Sequence, residues 1–320
     1  MKFEQIMPSA TTMADATLPT VAMDTEAGTQ YNVLHGYTSE LDSTLFYGNI
    51  TPVAKDRKLT VTINTYGEDI EGVAYKIRSL EDKSLIENTE VSDYDNAGSS
   101  INVTFNIKNL LDTGKEYALE IVLKTKKHEA VYYYTRIVYG VDYDLQKKLD
   151  FVMDFNACTF DDSRLKDIAG YLETSSSGDN TNYGKVNINC SLSQVGWGDL
   201  DPYVESDIIP EVISVDDDVA ILRLSYRVGA ANDYSSSDTY TVSEYYRIRQ
   251  TNSGFYLLNF EREMNQVFDA RNDLTSTAKI NLGINSSTDV NCASDEKGIY
   301  TYFVNQGSLW CFNSSSQTFT

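Results

Sequence analysis

The chain has 320 residues, with 26 Lys and Arg against 47 Asp and Glu and a formal net charge of -21. That length exceeds one ordinary domain, so two or three units, each with its own core, are expected. The negative field repels phosphate backbones and anionic lipid, which sets aside nucleic acid and membrane surfaces as partners and leaves cations, basic proteins and neutral glycans.

Hydrophobic residues make up 41% of the chain and Tyr occupies 23 positions against 5 for Pro, the composition of a β-rich globular protein. Residues 1–30 show no sustained period and read as an extended entry segment or linker. From Tyr31 onward strand signals come at short, even spacing. One lies within residues 31–52, and the others are Leu59–Thr65, Val73–Leu80, Leu85–Val91, Ile101–Ile107, Tyr117–Lys124 and Val131–Tyr139. Turn residues such as Tyr66-Gly67-Glu68-Asp69 and Asp95-Asn96-Ala97-Gly98 separate them. In the run from Ile101, the residues Ile101, Val103, Phe105 and Ile107 alternate with Asn102, Thr104 and Asn106, giving one buried and one wet face.

Between the runs ending at Ile107 and starting at Tyr117 stands Leu111-Asp112-Thr113-Gly114-Lys115-Glu116-Tyr117. This is the pattern of a tyrosine corner, in which the ring enters the core and the hydroxyl satisfies a backbone group at the turn. Seven short strands with such a corner resemble the fibronectin type III and immunoglobulin-like β-sandwiches. In fibronectin type III domains the corner usually reads Leu-x-Pro-Gly-x-x-Tyr. Leu111, Gly114 and Tyr117 match it, Thr113 stands where Pro is common, and the Trp typical of the second strand is missing, with Val61 and Ile63 nearest. The resemblance covers residues 31–140 and implies a seven-stranded sandwich without implying any activity.

After Gly140 the period lengthens. Leu145, Leu149, Val152 and Met153 follow helical spacing, and a second helix is expected from Arg164 to Leu172 behind the N-cap candidates Asp161, Asp162 and Ser163. A polar loop over residues 175–182 leads to a short run, Val186, Ile188, Cys190, and then to three longer strands, Val219–Val228, Tyr240–Gln250 and Gly254–Arg262. Helices followed by an antiparallel sheet make an α+β unit over residues 141–275. The element order resembles the nuclear-transport-factor-2-like cone fold, which implies a curved sheet closed by helices around a pocket.

Residues 276–320 change character again. Tyr300 to Phe312, broken at Asn305-Gln306-Gly307, reads as a β-hairpin that resembles the inner hairpin of a β-propeller blade; with no second copy, either the chain is a piece of a longer protein, the favoured expectation, or the hairpin packs on the middle unit and closes its sheet.

Signatures of common chemistry are missing. There is no GxSxG, HExxH, GxxxxGK[ST] or GxGxxG, and His35 and His128 are the two histidines, each without a nucleophile at local spacing. Cys158, Cys190, Cys292 and Cys311 lack ligand spacing for zinc, and free thiols or two disulfides both suit them. Asp93-Tyr94-Asp95-Asn96-Ala97-Gly98 imitates the start of a calcium loop, but Ala97 takes a ligand position and Thr104 stands where a bidentate Glu is needed, so a plain turn is expected there and also at Asp216-Asp217-Asp218. No metal and no cofactor is called for.

Binding residues are sought in the middle unit, at Trp197 between Gly196 and Gly198, and at Glu244, Tyr246, Tyr256 and Glu261 in the sheet, where aromatic rings could stack on a sugar or an apolar ligand. Core cover by Trp197 and cross-strand pairing, for instance of Glu244 with Arg262, compete with that use. The expectation is a non-enzymatic, extracytoplasmic binding or spacer region of a bacterial surface protein that recognises a protein or a glycan. The alternative is a small-ligand-binding or glycan-hydrolysing cone domain over residues 141–275, using Glu244, Glu261 or Glu263.

Overall fold

Strict alternation over residues 101–107 places Ile101, Val103 and Phe105 inside and their neighbours outside, and the same rule builds most of the first unit. The structure is a computed structural model that describes residues 18–94, 98–140, 143–231, 237–269, 275–276, 279–280, 282, 291–305 and 308–320. The chain is mostly β, with several sheets and few helices. Its first unit holds β1 (Thr20–Asp24), β2 (Gln30–His35), β3 (Ile50–Val53), β4 (Lys58–Asn64), β5 (Ile70–Ser79), β6 (Leu85–Val91), β7 (Ser100–Asn106), β8 (Glu116–Thr125) and β9 (Val131–Tyr139). One sheet runs β2-β1-β4-β7 and the other β3-β9-β8-β5-β6, all pairs antiparallel except β3 with β9.

The seven expected strands are therefore nine. Residues 31–52 carry β2 and β3 with a 3-10 turn at Ser43–Leu45 between them, and β1 lies in the stretch read as an entry segment. The reason is burial on both faces: Thr20, Val21, Ala22 and Met23 are all buried, so β1 has no wet face and shows no alternation. The tyrosine corner is present. Tyr117 is buried, its hydroxyl accepts the Asp112 N–H at 2.8 Å, and Gly114 turns the chain at φ +74°. Within the imitation calcium loop, Asp95, Asn96 and Ala97 lie outside the described residues.

The second unit contains α1 (Leu145–Thr159), a 3-10 helix at Leu165–Tyr171, β10 (Lys185–Asn187), α2 (Leu192–Val195), β11 (Tyr203–Val204), β12 (Glu211–Val215), β13 (Val219–Ala231), β14 (Ser237–Thr251) and β15 (Gly254–Gln266). The second expected helix is thus a 3-10 segment. The Asp161 carboxylate closes a turn by accepting the Ser163 N–H at 2.9 Å, and within the segment only Ile168 is buried. The sheet order is β10-β15-β14-β13, with β11 and β12 each pairing a different part of β13. Helix α1 crosses one face of it, which we call the inner face, and sets Phe155 against Tyr246 and Phe260. The run Asp216-Asp217-Asp218 forms the turn into β13, and the carbonyls of Asp216 and Asp217 accept from the buried Lys148 Nζ at 2.6 and 3.0 Å, which fastens α1 to that turn.

The two units share one continuous core. Asn32 sits at the junction, fully buried and at φ +49°. Its amide donates to Ile50 O at 2.9 Å and Thr51 Oγ1 at 3.1 Å, its Oδ1 accepts from Val212 N at 2.7 Å, and its own N–H donates to Pro210 O at 2.9 Å. A third, small unit pairs β16 (Thr275–Ser276) with β17 (Lys279–Ile280) and then forms a four-stranded meander from β18 (Cys292–Ser294), β19 (Tyr300–Asn305), β20 (Ser308–Asn313) and β21 (Thr318–Phe319). Gln306 and Gly307 of the expected turn lie outside the described residues. All four cysteines are free thiols, and only Cys292 is exposed.

Candidate binding surface

Three of the residues singled out in the sequence meet on the inner face. Glu244 and Arg262 are cross-strand partners on β14 and β15, and both are wholly buried. Their closest approach, Nη1 to Oε1, is 3.9 Å, so the carboxylate is held mainly by other donors. The Tyr226 hydroxyl donates to Oε1 at 3.0 Å, and the Tyr246 hydroxyl and Asn156 Nδ2 donate to Oε2 at 2.6 and 2.8 Å. Arg262 donates to Val195 O at 2.8 Å and to Gln194 O at 3.0 Å, its guanidinium lies 3.3 Å from the Trp197 ring centroid, and its Nε has no partner. Burial, reinforced by the Glu244 charge, pushes the Tyr226 and Tyr246 hydroxyls well above the ordinary tyrosine range, so both stay protonated donors. Burial pulls Arg262 down, against the pull of Glu244.

Trp197 is tucked over this network. It lies at φ +68° and is 1% exposed, and its indole N–H donates to Thr159 Oγ1 at 3.3 Å. The flanking glycines allow that close approach: a Cβ on Gly196 would come within 2.4 Å of the Leu165 side chain. Trp197, Glu244 and Tyr246 thus fill the space between α1 and the sheet and touch no solvent.

Tyr256 and Glu261 lie on the opposite, outer face, as does Glu263. Glu244 therefore shares no surface with Glu261 or Glu263, while paired carboxylate chemistry needs both groups flanking one bond. Glu261 accepts from Asn259 Nδ2 at 2.8 Å, and Glu263 pairs with Lys185 of β10 at 3.3 Å. Tyr256 is 53% exposed and stands opposite Arg249.

The outer face has two ends. Next to Tyr256 it carries Arg247 and Arg249 of β14, Arg223 of β13 and Tyr245. The other end is an open groove of about 530 Å³ lined by Ser225, Arg227, Thr241, Ser243 and Glu263 among others. Beyond the groove the Tyr203 ring lies on Gly229, where a Cβ would sit 2.3 Å from Tyr203 Cζ, and the ring remains 51% exposed. From Thr241 to Arg249 the face spans about 27 Å at the ordinary strand rise.

The arginines and Tyr203 escaped the sequence reading. A signal was there in Tyr245-Tyr246-Arg247-Ile248-Arg249, whose period of two puts Tyr246 and Ile248 on one face and Tyr245, Arg247 and Arg249 on the other. Tyr203 had none, because a two-residue strand is too short to show a period.

Among the described residues no group of three or more His, Cys, Asp and Glu is placed to hold a metal ion, and no helix is long and apolar enough to cross a membrane. No protein-family model matches the chain, and no curated protein does. Among solved structures it is similar to Spo0M, a sporulation control protein from Bacillus subtilis, with 8% identity over 68% of this chain and 86% of that one. The TM-score of 0.20 is too low for that likeness to carry any argument about fold or role.

Proposed function

We propose that the chain is a non-enzymatic, extracytoplasmic binding region that recognises a glycan on the outer face of its long-stranded sheet. In this reading the nine-stranded unit is a fibronectin-like spacer that holds the second, cone-like unit at a fixed angle. The observation that carries it is the division of the sheet. The inner-face polar residues are buried, while the outer face keeps an exposed tyrosine at each end, Tyr256 beside the arginines and Tyr203 beyond a groove whose lining includes Ser225, Thr241 and Ser243. Rings of this kind stack on the apolar faces of sugars, and convergent hydroxyl, amide and carboxylate groups fix their orientation. The buried junction at Asn32 supports a rigid rather than a swinging attachment.

The test is co-sedimentation of the chain with envelopes from the cells that make it, together with immunofluorescence on intact cells. Periodate treatment of the envelopes, which cleaves sugar diols, is expected to abolish binding, protease treatment to spare it, and Tyr256→Ala to weaken it. Binding that survives periodate and is lost to protease would overturn the glycan reading, and staining confined to the cytoplasm would overturn the extracytoplasmic one.

A further inference from the structure

We propose that the glycan read by this face is acidic, a polymer bearing carboxylates such as those of uronic acids, and that Arg247 and Arg249 grip it. The inference rests on the glycan-binding reading above and adds the charge of the ligand.

The chain has 47 acidic against 26 basic side chains, so an exposed arginine has an excess of carboxylates with which to pair. Arg223 does so, donating through Nε to Glu211 Oε2 at 2.9 Å. Arg247 and Arg249 are exposed and make no ion pair among the described residues. Their cross-strand neighbours are Ile221 and Asn259 for Arg247, and Val219 and Tyr256 for Arg249, all uncharged. Arg223 lies one row further on, opposite Tyr245. Arg247 and Arg249 thus stand as two like charges on neighbouring outward positions of one strand, with Arg223 already neutralised by Glu211, and with Glu261 one row away opposite Tyr245, and an anion can bridge the two.

Guanidinium groups bind carboxylates through two parallel N–H···O bonds, and the i, i+2 spacing on β14 sets two such forks about 7 Å apart along the strand. Tyr256 beside Arg249 offers a ring for the sugar that carries the carboxylate. The groove beyond also holds the Glu205 and Glu263 carboxylates, so the acidic part of the ligand is confined to the arginine end. β14, which carries both arginines, is paired on both sides and offers no free backbone edge, whereas β15 meets β10 only at Glu261–Glu263, so strand addition of an acidic peptide beside Tyr256 is left to the poly-L-glutamate arm of the test. The net charge of -21 opposes every polyanion, nucleic acid and polyuronate alike, so the attraction is confined to the local pair Arg247 and Arg249.

Affinity electrophoresis of the full chain in gels containing polygalacturonate tests the proposal. The wild type is expected to be retarded by polygalacturonate, to be retarded far less by its methyl ester, and to lose retardation as salt rises. Arg247→Gln with Arg249→Gln is expected to weaken binding about tenfold or more with an unchanged thermal midpoint, since both side chains lie on the surface. Arg247→Lys with Arg249→Lys keeps the charge but loses the forks and is expected to fall in between. Equal retardation by the ester, sensitive to Tyr256→Ala, would overturn the acidic inference while sparing the glycan reading. Poly-L-glutamate retarding the chain as strongly as polygalacturonate would overturn both in favour of an acidic protein segment. No retardation by polygalacturonate, or retardation indifferent to the arginine substitutions, would also overturn the acidic inference.

Discussion

Glu244 and Arg262 show how a single pair governs the middle unit. Each charge is wholly buried, and each is kept there by neutral donors and acceptors more than by the other, since 3.9 Å separates them. Removing one partner leaves an uncompensated charge in the core, whereas removing both leaves only packing to repair. Glu244→Leu is therefore expected to cost about 3–5 kcal/mol in urea unfolding, and the double variant Glu244→Leu with Arg262→Met to cost less than the single one. That these two are cross-strand partners was legible from strand parity and the turn at residues 251–254. Their burial was not, because a charged residue at an inward position looks the same in sequence as one lining a wet cavity. Trp197 has the same ambiguity, and the packing of Arg262 beneath its ring resolves it.

At the scale of elements, long regular strands were readable and short or doubly buried ones were not. β13, β14 and β15 carry clear alternation over 13, 15 and 13 residues. β1 is covered on both faces, and β11 is two residues long. β11 carries Tyr203, so only part of the outer face was legible: the sequence singled out Tyr256 and Glu261, which lie on it, but not Tyr203 or the arginines. Gly229 is the element-level device that seats Tyr203. Gly229→Ala places a methyl group against the Tyr203 ring and the Glu205 carboxylate, and both are side-chain ends that can swing away. Envelope or polygalacturonate binding is then expected to fall roughly threefold to tenfold, the value of one aromatic contact. Stability should change by only about 0.5 kcal/mol, and a fall in affinity matched by an equal loss of stability would contradict this role for Tyr203.

Across the whole molecule, Asn32 ties the first unit to the second through Ile50, Thr51, Pro210 and Val212. Asn32→Ala strands the Val212 N–H and the Ile50 carbonyl, at a cost of about 2 kcal/mol or more, and calorimetry is expected to resolve two transitions where the parent shows one. Burial holds Tyr31, Tyr75 and Tyr133 in the first unit, and Tyr226 and Tyr246 in the second, above the ordinary tyrosine range, and it pushes Tyr134 up to about 12. The unfolded chain ionises first, near pH 10. Stability from these groups is thus fully present below that pH and is lost as pH rises toward the folded values. Urea midpoints are expected to hold up to about pH 9 and to fall steeply by about pH 11, with the buried tyrosines ionising only as the fold is lost. The sequence by itself determined the β-rich class, the long alternating strands and the tyrosine corner, because these follow from side-chain periods and turn chemistry within a few neighbouring residues. Only the tertiary structure decided that Glu244 and Trp197 are core and that Arg247 and Arg249 stand free beside Tyr256, since burial and pairing depend on what distant segments bring to each face of the sheet.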